Sequence, residues 1–159
     1  MEKLRNLSKT WTGKIGIAVV AVLILLVLIQ LIPVDKKNPA VVKEPTWDSP
    51  RTRELAKAAC FDCHSNETVW PWYAKIAPSS WLLYRDVHEG RDTLNFSDWG
   101  AGRGEVGEMA EVIDGGEMPP WYYTIMHPNA KLSDTEKQEL IAGLATTLAQ
   151  SSVGPGTGG

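Results

Sequence analysis

Apolar and polar positions follow two regimes along this chain. From Ile15 to Ile32, 18 consecutive residues carry a single polar side chain, Gln30; from about residue 50 onward, apolar residues recur at helical spacing in short stretches separated by loops. As a helix rising about 1.5 Å per residue, the first stretch is roughly 27 Å long, close to the ~30 Å hydrocarbon core of a bilayer. A cleavable leader is the competing reading, but its apolar run is normally about 7–15 residues long and precedes a small-residue cleavage site. Here Pro33-Val34-Asp35-Lys36-Lys37 follows instead. An uncleaved single-span anchor over residues 15–32 is expected, after a short N-terminus over 1–14.

Prolines at 33, 39, 45 and 50, set among charged and small residues, predict an extended tether over 33–49. Ser49-Pro50 then opens a first helix, a cap followed by proline in the first turn, with Leu55, Ala56 and Ala59 on a thin apolar face. A second helix begins at Ser79 or Ser80, and Gly90 reads as its stop. A third, over about 103–114, sets Val106, Met109, Ala110 and Ile113 on one stripe and ends at Gly115-Gly116. Ser133-Asp134-Thr135-Glu136 is a capping box, after which Leu140, Ile141, Leu144 and Leu148 repeat at helical spacing. Strand alternation is scarce. The expected fold is all-α, with residues 50–150 as the folded domain and 151–159 as a disordered tail with almost nothing to bury. Four short helices bury only a modest core, which a large internal cofactor would enlarge.

Composition sharpens this picture. A chain of 159 residues suits one domain with accessory segments. Residues 1–33 carry +3 and the whole chain −3, so the remainder carries −6. That mildly acidic balance, without a Lys/Arg stripe, argues against nucleic acid as the main partner. Lys3, Arg5, Lys9 and Lys14 before the span, against Lys36, Lys37 and Lys43 after it, give only a faint orientation signal. No Ser/His/Asp arrangement, phosphate-binding glycine loop or metal-spaced histidine pair is present, and no enzyme is expected.

The chemistry concentrates in Cys60-Phe61-Asp62-Cys63-His64, which uses both cysteines of the chain. Two thiols three residues apart on a helical turn face the same way, and an imidazole follows directly. That arrangement suits c-type haem, with each thiol linked to one vinyl group and His64 delivered to the iron. A thioredoxin-like dithiol would need a βαβ setting, and a structural zinc site a second ligand pair; only the isolated His88 and His127 remain.

Haem iron held by one histidine needs a sixth ligand or an open position. Met118, in Gly115-Gly116-Glu117-Met118-Pro119-Pro120, is the first candidate. A thioether favours ferrous iron, and the two prolines fix the backbone beside it. Met126, His127 and His88 are the alternatives; Met109 lies on an apolar stripe and reads as core, and His88 as a histidine interacting with a helix end.

The order of a helix, C-F-D-C-H, a late M-P-P and then L-S-D-T-E-K-Q-E-L resembles a class I cytochrome c. More narrowly, the chain is similar to the bacterial haem-binding domain family with its C-x-x-C-H motif. The residues that carry the resemblance are Cys60 to His64 with Ser65-Asn66, Trp70-Pro71-Trp72-Tyr73, Pro78-Ser79-Ser80-Trp81, Gly90-Arg91, Asn95 to Trp99, and Met118-Pro119-Pro120, over about 100 of the 159 residues. It implies one covalent haem c at Cys60 and Cys63, axial ligation by His64, and Met118 as distal ligand by position. It also implies haem attachment on the outer face of a bacterial inner membrane, so that the N-terminus is cytoplasmic and the domain periplasmic.

Three functions are compatible with these residues: a tethered carrier of single electrons between periplasmic or membrane-bound redox partners, a haem sensor with an open or displaceable sixth ligand, and an accessory subunit of a larger respiratory complex. The rigid Met118-Pro119-Pro120 favours the carrier. Glu105, Glu108, Glu111, Asp114 and Glu117 recur every third residue and read either as a solvated face or as a patch that steers a basic partner. The six tryptophans beyond the span are expected to pack against helices and cofactor.

Overall fold

A computed structural model describes residues 11–100 and 106–152. Among these residues the fold is all-helical, without strands: α1 (Trp11–Ile29), α2 (Pro50–Ala59), α3 (Phe61–His64), α4 (Ser79–Thr93), α5 (Val106–Asp114), α6 (Trp121–Met126) and α7 (Asp134–Ser152), with 3-10 turns at Trp72–Lys75 and Pro128–Ala130. Contacts divide the chain into two compact units. One holds α1 through Lys36 together with Pro71–Tyr84; the other holds Lys37–Trp70 and the chain from Arg85 onward.

The helix starts expected at Ser49 and Ser133 form as read. The Ser49 hydroxyl accepts from Thr52 N–H at 3.2 Å, and Pro50 occupies the first turn of α2. The capping box closes in both directions: Glu136 N–H donates to Ser133 Oγ at 3.3 Å, and Ser133 N–H to Glu136 Oε2 at 2.9 Å. The apolar faces so positioned meet in one core, where Leu55, Ala56 and Ala59 of α2, Met109 and Ile113 of α5, and Leu140 and Leu144 of α7 are buried together. Gly143 of α7 lets Thr52 of α2 come close, since a Cβ there would run into the threonine side chain. Phe61, Phe96 and Trp99 stack through the core, with ring centroids 5.4 and 5.8 Å apart.

Four features depart from the sequence reading. The stretch expected as a tether is extended, but from Asn38 on it is bonded into the second unit. Val42 and Lys43 N–H donate to the Ser97 carbonyl at 2.8 and 3.0 Å, Trp99 N–H donates to the Lys43 carbonyl at 2.9 Å, and Trp47 packs on Phe96 at 5.3 Å. It is a strap rather than a spacer. Gly90 does not stop α4, which continues to Thr93; a Cβ at Gly90 would lie 2.7 Å from the Cys63 carbonyl oxygen, so the glycine is a packing site. Trp47 and Trp99 join the core, but Trp72 and Trp121, each at the start of a short helical segment, are 68 and 72% exposed. Ser151 and Ser152 belong to α7, while the rest of the expected tail, like Glu105 and residues 1–10, lies outside the described residues.

In the first unit, α1 is long and apolar enough to cross a membrane. Its α-helical bonding ends at Ile29, and Gln30, Leu31 and Ile32 continue with tighter bonds to the carbonyls three residues back.

Candidate functional site

Cys60 joins α2 to α3, and the rest of the Cys60–His64 motif is the single turn of α3 itself. Cys60 N–H closes α2 on the Ala56 carbonyl at 2.8 Å, and the Cys60 carbonyl accepts from Cys63 and His64 N–H at 3.1 and 2.8 Å. That turn sets the two thiols on neighbouring positions and the imidazole next to them. Protein surrounds both thiols, and the loss of water pushes each up to about 12; the Asp86 and Asp62 carboxylates add to the rise at Cys63.

His64 is held from two sides by the segment after α4. Phe96 N–H donates to its carbonyl at 2.8 Å, and its Nδ1 lies 3.1 Å from the Leu94 carbonyl. A carbonyl can only accept, so Nδ1 carries the proton and Nε2 keeps its lone pair. Burial lowers the pKa of the ring, which favours the neutral imidazole needed for metal ligation.

Met118 reaches the same place by a different local rule. Gly116 has φ +75°, Glu117 N–H bonds back to Val112 O at 2.9 Å, and Gly116 N–H to Ile113 O at 3.2 Å. This is a Schellman ending, and the left-handed residue it requires is supplied by glycine. Met118 N–H adds a second bond to Val112 O at 3.0 Å, so the methionine is tied to the end of α5.

These residues converge on two cavities of about 260 and 220 Å³. Both are lined by Cys60, His64, Thr93 and Met118. Cys63, Gly90 and Pro119 join the larger one, and the apolar Met109, Val112 and Leu144 the smaller. Of the alternative ligands, Met126 and His88 are exposed and His127 stacks on Tyr123 at 4.2 Å; none of the three lines either cavity. Met109 is buried in the core, as its stripe implies. Among the described residues, no three His, Cys, Asp or Glu side chains gather as a metal-ion site, so the zinc reading finds no ligand set.

The sequence reading passed over the residues that fasten α6 beside the cleft. Tyr123 Oη donates to Asp62 Oδ2 at 2.7 Å, and Tyr122 Oη to Asp86 Oδ2 at 3.0 Å. Asp62 is the inner residue of the cysteine motif, so the methionine loop is bonded to the turn that carries the thiols. Desolvation and the Asp86 contact push the Tyr122 hydroxyl up to about 12. The only sequence signal was the pair of tyrosines that follows Met118-Pro119-Pro120-Trp121. Ser65-Asn66 and Asn95–Trp99, noted for the resemblance, form a structural clasp: Ser97 Oγ accepts from Asn66 N–H at 2.9 Å, and Asn66 Oδ1 accepts from Asn95 Nδ2 at 3.0 Å. Glu108, Glu111, Asp114 and Glu117 are all exposed along α5 and its end.

A family described as a haem-binding domain matches residues 24–146 of the chain. The chain is also 26% identical over 104 residues to cytochrome c peroxidase Ccp of Escherichia coli (strain K12), a match covering 60% of this chain and 22% of that protein. It therefore spans about a fifth of the length of that relative. No solved structure matches it.

Proposed function

As the chain belongs to the haem-binding domain family, we propose that it is a membrane-anchored monohaem c-type cytochrome that carries single electrons between periplasmic redox partners. In this reading α1 is the anchor in a bacterial inner membrane. Cys60 and Cys63 would hold the porphyrin through thioether links, and His64 and Met118 would ligate its iron. When bound, haem c supplies a one-electron couple at its iron.

The donor set fits this group. Two thiols occupy one turn, an imidazole with its Nδ1 proton held by Leu94 lies beside them, and a thioether lines the same cavities, whose walls are partly apolar. The observation that carries the reading is that Cys60 and His64 of the cysteine motif and Met118, from a separate part of the chain, line both cavities. The protein's own contribution is positional. Leu94 fixes the imidazole tautomer, the Schellman turn and two prolines hold the sulfur, and Tyr123 ties that loop to Asp62. A Met118 loop tied to the end of α5 would limit the rearrangement that accompanies each electron, as a carrier requires. The reading includes no catalytic residue.

A second reading rests on one observation: Met118 is 39% exposed. A thioether reachable from solvent could be displaced by a small ligand, which would make the protein a haem sensor.

The test is to produce the full chain with haem-attachment machinery, denature it and titrate its potential. The proposal expects haem retained covalently under denaturing conditions and one wave fitting a single-electron couple. Haem that dissociates on denaturation would overturn c-type attachment. Carbon monoxide binding to the resting reduced protein would favour the sensor.

A further inference from the structure

The lone polar residue of the apolar run does more than end it. Gln30 Nε2 donates to the Ala77 carbonyl at 3.1 Å and to Leu26 O at 2.9 Å, while Gln30 Oε1 accepts from Ala77 N–H at 2.9 Å. One side-chain amide thus pairs with both backbone groups of Ala77, much as a neighbouring strand would. Six residues on, Lys36 Nζ donates to the Ala74 carbonyl at 3.1 Å. The segment Pro71–Tyr84 belongs to the same compact unit as α1. Three of its large apolar side chains are exposed, Trp72 at 68%, Ile76 at 47% and Leu82 at 43%, and Lys75 is exposed as well.

We propose that Trp72, Ile76 and Leu82 form a membrane-seating platform that lies in the interfacial layer of the bilayer, clamped to the end of α1 by the Gln30–Ala77 amide pair. The occupant of this apolar face is lipid, because the face is bonded to the last turn of the span itself. Gln30 directly follows the final helical residue, so Ala77 is held where hydrocarbon gives way to headgroups. A polar amide at that depth is tolerated when its donor and acceptor are both paired, and here Ala77 and Leu26 pair them. Tryptophan, with an apolar ring and a polar N–H, prefers that layer, and an adjacent lysine suits the headgroups. In water, the same exposed tryptophan, isoleucine and leucine would be an unexplained apolar patch.

This inference rests on the reading of α1 as a membrane span, and the test separates the two. A benzophenone amino acid is placed at position 28, 72 or 76 of the full chain in phosphatidylcholine nanodiscs, and lipid adducts are measured by mass spectrometry after illumination. Adducts at 72 and 76, comparable to those at 28, are expected. In a Gln30→Leu background those at 72 and 76 should fall several-fold while that at 28 is unchanged. Adducts at 28 but not at 72 or 76 would overturn the platform and leave the span standing. Absence of adducts at 28 would overturn the span and the platform with it. Undiminished adducts at 72 and 76 in Gln30→Leu would overturn the clamp.

Discussion

The Nδ1 atom of His64 lies 3.1 Å from the carbonyl oxygen of Leu94, a residue 30 positions further along the chain. This bond couples the haem-motif turn to the end of α4 and decides which ring nitrogen is left for a metal. With Nδ1 protonated, Nε2 is the nitrogen left with a lone pair for a metal. His64→Ala is expected to lose the low-spin spectrum of the haem-loaded protein, and added imidazole should restore it. A low-spin spectrum in the variant without imidazole would show that another residue occupies that position.

Gly90 of α4 packs directly against the Cys63 carbonyl. An alanine Cβ would meet backbone at 2.7 Å, which cannot move aside as a flexible side-chain tip would. Gly90→Ala is expected to destabilise the folded protein by about 1–3 kcal/mol, in the range of overpacked interiors. Thermal unfolding of the haem-loaded variant measures it; an unchanged midpoint would mean that α4 and the motif separate freely.

Gly116 stands at φ +75°, where a side chain clashes with its own backbone. Gly116→Ala should cost about 1–2 kcal/mol and loosen the turn that holds Met118. Imidazole should then bind the oxidised protein more tightly than it binds the wild type. Equal imidazole affinity in the two proteins would mean that Met118 does not depend on this turn.

The Glu44–Arg53 pair gives a pH dependence of defined sign. Arg53 Nε and Nη2 donate to the two carboxylate oxygens at 2.9 and 2.8 Å, and this contact, aided by Trp47, holds the carboxyl below its ordinary value of 4.5. A carboxyl whose pKa is depressed in the fold stabilises it above the unfolded value, and that stability is lost as pH falls through the folded one. With side chains 28 and 38% exposed, the effect is screened to about 0.5–1 kcal/mol. Glu44→Gln should therefore lower the melting point at pH 7, with the difference from wild type shrinking below pH 4.5. A difference that stays constant down to pH 3 would show that the loss is one of packing, not of charge.

What could be read from the sequence was what local rules determine. Ser49 and Ser133 announce helix starts because a cap bonds to backbone within three residues. Cys60, Cys63 and His64 announce their chemistry because one turn brings them together. Gly115-Gly116 marked the end of α5 for the same local reason, and that ending sets Met118. Long-range relations were not legible. Gly90 looked like a helix stop because the carbonyl it accommodates is remote in sequence. The strap formed by Val42 and Lys43 resembled a linker, since an extended segment bonded to one loop has no periodicity. Tyr122 and Tyr123 were passed over, because their partners Asp86 and Asp62 lie on other elements. Gln30 registered as an exception in an apolar run, and its partner Ala77 could be found only in three dimensions.

The central claim is that His64 and Met118 together complete the coordination of one covalently held haem. Oxidised and reduced absorption spectra of the haem-loaded full chain, beside those of Met118→Ala, test it most directly. The account predicts a low-spin c-type spectrum with a sulfur-to-iron charge-transfer band in the oxidised form, and loss of that band in the variant. A wild-type spectrum that is high-spin, or a charge-transfer band that survives in Met118→Ala, would contradict it.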